Sequence, residues 1–249
     1  MLEIAFCGLV GLLLIGPLFM NAIGPFIVWR TQKIPTIVQF EPLSDDAFYE
    51  HCSALVQLYD QQLRDAGFLV VGNSSMHDSQ TDSYFRVYWH DTLKLAATAV
   101  DIIGANQSTL SYCELSQKYT DGCWLNVSNS NRSEAYPELP IKQSFQFPDT
   151  HDVDVLLERH KQLRSKLKGD MPSIDYRAEQ GFAEMAAFLR EESDTLLAKG
   201  LVKPEIDADG KRPLTLYGAF VMTWRSVWPG RVVAVAAKRR LARRWLPSD

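Results

Sequence analysis

The chain has 249 residues, enough for one ordinary domain with added segments or for two small domains, and its composition of 46% hydrophobic and 22% charged residues excludes a disordered chain. The net charge of −4 is unevenly spread: from Arg225 onward seven Lys and Arg oppose one acid, giving +6, so residues 1–224 carry −10. An acidic body with a basic tail bears on partners rather than on fold.

The first predicted element is an N-terminal transmembrane helix. From Ile4 to Trp29 there is no charge and one strongly polar residue, Asn21. As a helix this run is about 37 Å long, enough to cross a ~30 Å hydrocarbon core. Glu3 stands where a secretory signal has a basic residue, and the run ends in bulky residues rather than a cleavage site, so a retained anchor is expected, with a buried core helix as the alternative. Pro17 and Pro25 are expected to kink it. Trp29 suits the interface, and Arg30 and Lys33 beyond it predict a single-pass protein with the N-terminus outside and the folded part in the cytoplasm. Four N-x-S/T sequons, at Asn73, Asn106, Asn126 and Asn131, would reverse that orientation if glycosylated.

The expected fold is α+β in four regions: residues 1–33 as anchor and basic flank, 34–150 as an α+β domain, 151–212 as a helical region and 213–249 as an apolar and basic interfacial tail. A helix is predicted from Ser44, with acids in its first turn, to Asp65, closed by Gly67. Strand-like runs follow: FLVVGN, YFRVYWH, KLAATAVDII, STLSYCELSQKY, CWLNVSN and IKQSFQF. They read as an antiparallel meander with the helix on one face; Arg86, His90 and Lys94 suggest that part of the other face is polar or covered by a partner. A two-residue Asp121-Gly122 turn would set Cys123 opposite Thr120 and leave Cys113 far down the ladder, so all four cysteines read as free thiols.

Helical periodicity returns over 152–167 and again up to Gly200. His151, Asp152, Asp154, Glu158 and His160 form the best candidate for metal or proton chemistry, as a membrane-bound hydrolase, although acids at a capped helix start explain them as well. His90-Asp91 and His77-Asp78 are weaker acid–base pairs. No nucleophile elbow, P-loop or dinucleotide motif occurs, and no catalytic residue, metal or cofactor is assigned.

The tail LTLYGAFVMTW is apolar yet too short to span, and Pro229-Gly230 precedes a basic segment ending near Trp245. Expected membrane contacts are Trp29, Arg30, Lys33, Trp224, Trp228, Arg239, Arg240, Arg243, Arg244 and Trp245, the tail lying on anionic lipid. A terminal helix packed on the domain is the alternative for the tail. Nucleic-acid binding competes for the same arginines, and the acidic body argues against it. The functional expectation is a non-catalytic accessory or scaffold subunit of a membrane complex, with a membrane protein and the bilayer as partners. A module binding lipid or another small ligand, with an apolar cavity between helix and sheet, is a further alternative.

Overall fold

The computed structural model describes residues 16, 19–77, 81–131, 135–174 and 181–246. It is α+β, and the chain divides into two units that do not follow chain order. One comprises Gln39–Arg132, Glu138–Ala187 and Leu241–Asp249; the other comprises Met1–Val38, Ser133–Pro137 and Phe188–Arg240. The predicted span lies largely outside the described residues. Among those described, residues 19–31 are helical (α1), and no helix is long and apolar enough to cross a membrane.

The α+β unit is built on a seven-stranded sheet whose strands lie in chain order: β2 (Glu41–Leu43), β3 (Leu69–His77), β4 (Thr81–His90), β5 (Leu95–Gly104), β6 (Thr109–Lys118), β7 (Trp124–Ser128) and β8 (Lys142–Gln146). Helices α2 (Asp45–His51), α3 (Ala54–Asp65) and α4 (Val153–Leu167) supply Phe48, Val56, Tyr59, Leu63, Leu156 and Leu163 to a core shared with Tyr88, Ala97, Ala99, Cys113, Leu115, Leu125, Val127 and Phe145 of the sheet. The sheet residues alternate along each strand, as a single helix-covered face requires. Helix α4, expected in a separate helical region, thus belongs to this core.

Four expectations need correction. The single helix over 44–65 is two helices, because the Asp101 carboxylate accepts from the Ser53 backbone N–H (2.5 Å) and hydroxyl (3.1 Å). That capture removes the Ser53 N–H from a continuing helix, and Ser53 instead caps α3 by accepting from the Val56 N–H. The β6–β7 loop has three residues, not two: Tyr119 N–H donates to Cys123, so Cys123 faces Tyr119, and Gly122 takes the left-handed conformation (φ 78°) that closes such a loop. The meander is not wholly antiparallel, since β8 runs parallel to β7 after the connection 129–141. Arg86 lies on the helix-covered face, opposite Asn73 and Ala99 in register, and is fully buried.

The second unit holds α1, β1 (Lys33–Pro35) paired antiparallel with β9 (Lys211–Pro213), residues 188–198 of α5 (Gly181–Ala198), α6 (Leu216–Ser226) and the first part of α7 (Gly230–Trp245). Buried Arg212 ties β9 to α5, donating to Ser193 (3.1 Å) and Asp194 (2.6 Å), while the Thr36 and Ser193 hydroxyls bond at 2.7 Å. Gly218 on α6 is required: a Cβ there would lie 1.9 Å from the Leu201 carbonyl oxygen.

Candidate membrane-contact surface

Helices α1 and α6 are a packed pair. A Cβ added to Gly24 would lie 3.0 Å from Thr223 Cγ2, Phe26 meets Phe220 edge-on at 6.1 Å, and Asn21 Nδ2 donates to the Trp228 carbonyl at 2.8 Å. As α1 positions rise, their α6 partners fall, so the helices run antiparallel. A small residue lets the backbones approach and an amide bonds across, the devices used where helices associate in lipid.

Each helix turns an apolar stripe outward. On α1 these are Phe19, Met20, Ile23, Phe26 and Ile27; on α6 they are Leu216, Tyr217, Phe220 and Trp224. Both sets repeat at i, i+4 and i+8 spacing, one face of a helix. Phe26 (49% exposed) and Phe220 (43%) touch while both remain open, so the stripes join into one face. Trp228 (48%), Val232 and Val233 add exposed apolar surface just beyond α6. A contiguous apolar face of this kind is uncommon on a fully solvated surface.

Of the expected contacts, Trp224, Trp228, Arg30, Arg239, Arg240, Arg243 and Arg244 are exposed. Lys33 is exposed but paired: its ammonium donates to Asp207 at 2.6 Å, and that hydrogen bond raises the Lys33 pKa and lowers that of Asp207. Trp29 is half-buried with the Lys203 ammonium 5.7 Å from its ring centroid. Trp245, with Leu241 and Ala242, packs against the core of the α+β unit, and its carbonyl accepts from Lys166 at 2.6 Å. The last turn of α7 therefore follows the packed-helix alternative, with Arg243 and Arg244 on its open side. What sequence reading missed is the pairing itself, because Asn21, Gly24 and Phe26 find partners about two hundred residues away.

The histidine candidates are dispersed. Asp152 caps α4 by accepting from the Asp154 and Val155 N–H groups; Asp154 and Glu158 face solvent, whereas His160 points inward with Leu156, Leu157 and Leu163. His151 bonds through Nδ1 to the Tyr59 hydroxyl (2.9 Å), which also accepts from Asn129. Among the described residues no three His, Cys, Asp or Glu side chains converge to hold a metal. Burial and the nearby Arg164 push the His160 imidazole down to about 3, so it is neutral at ordinary pH. His90 Nδ1 accepts from the Leu93 N–H and Asp91 accepts from Trp89, both turn contacts. His77 bonds Asp82 (2.8 Å), and Asp78 lies outside the described residues. Cys52, Cys113 and Cys123 are free, buried thiols, and burial pushes each above the usual thiol range, the reverse of an activated nucleophile. Cys7 lies outside the described residues. Of the sequons, Asn73 and Asn126 are buried and Asn106 and Asn131 exposed.

The densest polar constellation surrounds Arg86. Its guanidinium donates to Asp45, to the Tyr49 hydroxyl (2.5 Å) and to Asp60 (3.2 Å), between the rings of Phe48 and Tyr49. Asp60 also accepts from Tyr49, Tyr88 (2.7 Å) and Arg64. Burial alone would raise the Asp60 pKa, yet the two tyrosine hydrogen bonds and the Arg86 charge hold it below the usual carboxylate range. Asp45 is lowered chiefly by the hydrogen bond from Asn73. Two arginines and two aspartates cancel, so the network clamps α2 and α3 to β4 rather than presenting a charge to a ligand.

Comparison of the chain with protein-family models, with curated proteins and with solved structures finds no match.

Proposed function

We propose that this protein is a membrane-attached, non-catalytic accessory or scaffold subunit that docks to a membrane complex from the cytoplasmic side. The observation that carries the reading is the apolar face of α1 and α6, joined at Phe26–Phe220 and left open to the surroundings. It continues an N-terminal run that is uncharged back to Ile4, and cations flank it at Arg30 and Arg231. Lipid accepts such a face, and each cation near an anionic leaflet adds about 1 kcal/mol. In the α+β unit the Arg86–Asp60 network is closed on itself and clamps α2 and α3 to β4, which supports a docking body.

Gentle detergent extraction of the intact protein tests this. A stoichiometric membrane-protein partner that persists after His151→Ala with His160→Ala supports the scaffold. Tightly bound metal, lost with those changes, would support the hydrolase instead.

A further inference from the structure

We infer that the α1–α6 pair lies nearly flat in the membrane interface, as a two-helix paddle, rather than α1 standing upright as the inner half of a span. The inference rests on membrane attachment and concerns how lipid meets this one unit. Its basis is where the antiparallel packing puts the cations.

Arg30 closes the C-terminal end of α1. Asn21, nine residues earlier, bonds the Trp228 carbonyl, so the α6–α7 link with Arg225 and Arg231, each three residues from Trp228, sits beside the other end of α1. Nine residues of helix are about 13 Å. In an upright α1 with Arg30 at the headgroups, Arg231 would lie about 13 Å deeper, close to the middle of a ~30 Å core, where a guanidinium is costly. In a flat pair, Arg30 and Arg231 reach the headgroups together. The joined stripe of Met20, Ile23, Phe26, Ile27, Phe220 and Trp224 then faces the acyl chains along its whole length. Trp29, Trp224 and Trp228 occupy both ends of the pair, as indoles at interfacial depth do. The occupant is therefore the bilayer: an uncharged, aromatic-rich face rimmed by cations matches an anionic leaflet.

Nitroxide labels test the depth. In a Cys7→Ala background, where the remaining thiols are buried, Met20→Cys, Ile27→Cys and Tyr217→Cys would be labelled one at a time in the full chain. The protein would be bound to vesicles of phosphatidylcholine and phosphatidylglycerol. The relative access of oxygen and a water-soluble nickel chelate gives the depth of each label. A flat pair places all three within about 3 Å of one another, at the level of the upper acyl chains. An upright helix places Met20 about 10 Å deeper than Ile27; that gradient overturns the inference and leaves membrane attachment standing. Labels that the nickel chelate reaches freely, or that neither reagent reaches because protein covers them, overturn both. Circular dichroism on each variant confirms that the fold is intact, and a labelled parent without added cysteine fixes the background.

Discussion

His160 gives the sharpest quantitative prediction. Its imidazole is buried on the inner face of α4, Nε2 has no hydrogen-bond partner, and its folded pKa falls from 6.5 to about 3. Between those values the unfolded chain binds a proton there and the folded chain does not, so stability falls as pH drops below 6.5. At pH 5 the linkage is worth about 2 kcal/mol at 1.36 kcal/mol per pKa unit, and near pH 7 it is almost nil. His160→Leu keeps an apolar side chain of similar volume and removes the titration. Urea unfolding followed by tryptophan fluorescence at pH 7 and pH 5, for wild type and variant, isolates the effect, because the other four histidines are common to both. The variant should be more stable than wild type at pH 5 by about 2 kcal/mol more than at pH 7. Equal pH dependence in the two proteins would refute the buried, neutral imidazole.

Arg86→Met should cost about 3–5 kcal/mol, because it leaves Asp60 buried without its guanidinium; a fall below about 1 kcal/mol in urea midpoint analysis would show that Arg64 and the tyrosines suffice. Gly218→Ala should destabilise the unit containing α6 by at least about 1–3 kcal/mol, since the new methyl meets backbone at Leu201 rather than a side chain that can swing away. Hydrogen exchange should then rise in β9 and α6 and stay unchanged in β4–β6; protection equal to wild type throughout would contradict the close approach.

The sequence made some elements legible and hid others for physical reasons. Strands β4, β5 and β6 follow from their aromatic and β-branched runs, and α4 from its acidic cap and apolar periodicity, because those signals are local. Strand β3 extends beyond the predicted run FLVVGN through Ser74, Ser75 and Met76, because pairing with β4 and with β2 satisfies their backbone. The break at Ser53 depends on Asp101, forty-eight residues later. Arg86 read as part of the face away from the helix because its counter-ions come from the helices before it, and a strand alternation alone cannot tell a buried pair from an exposed charge. In the candidate surface, the tryptophans and arginines of the tail stood out by composition. The pairing of α1 with α6 could not, since Gly24 and Thr223 are ordinary residues until they meet.

On the proposed reading the α1–α6 face contacts lipid. Flotation of the full-length protein with phosphatidylcholine–phosphatidylglycerol vesicles, wild type against Phe26→Asp with Phe220→Asp, tests it most directly. Wild type should float, raised salt should weaken flotation, and the double variant should move largely to the bottom fractions with its circular dichroism unchanged. Wild type remaining with the soluble fractions, or a double variant that floats as well as wild type, would contradict it.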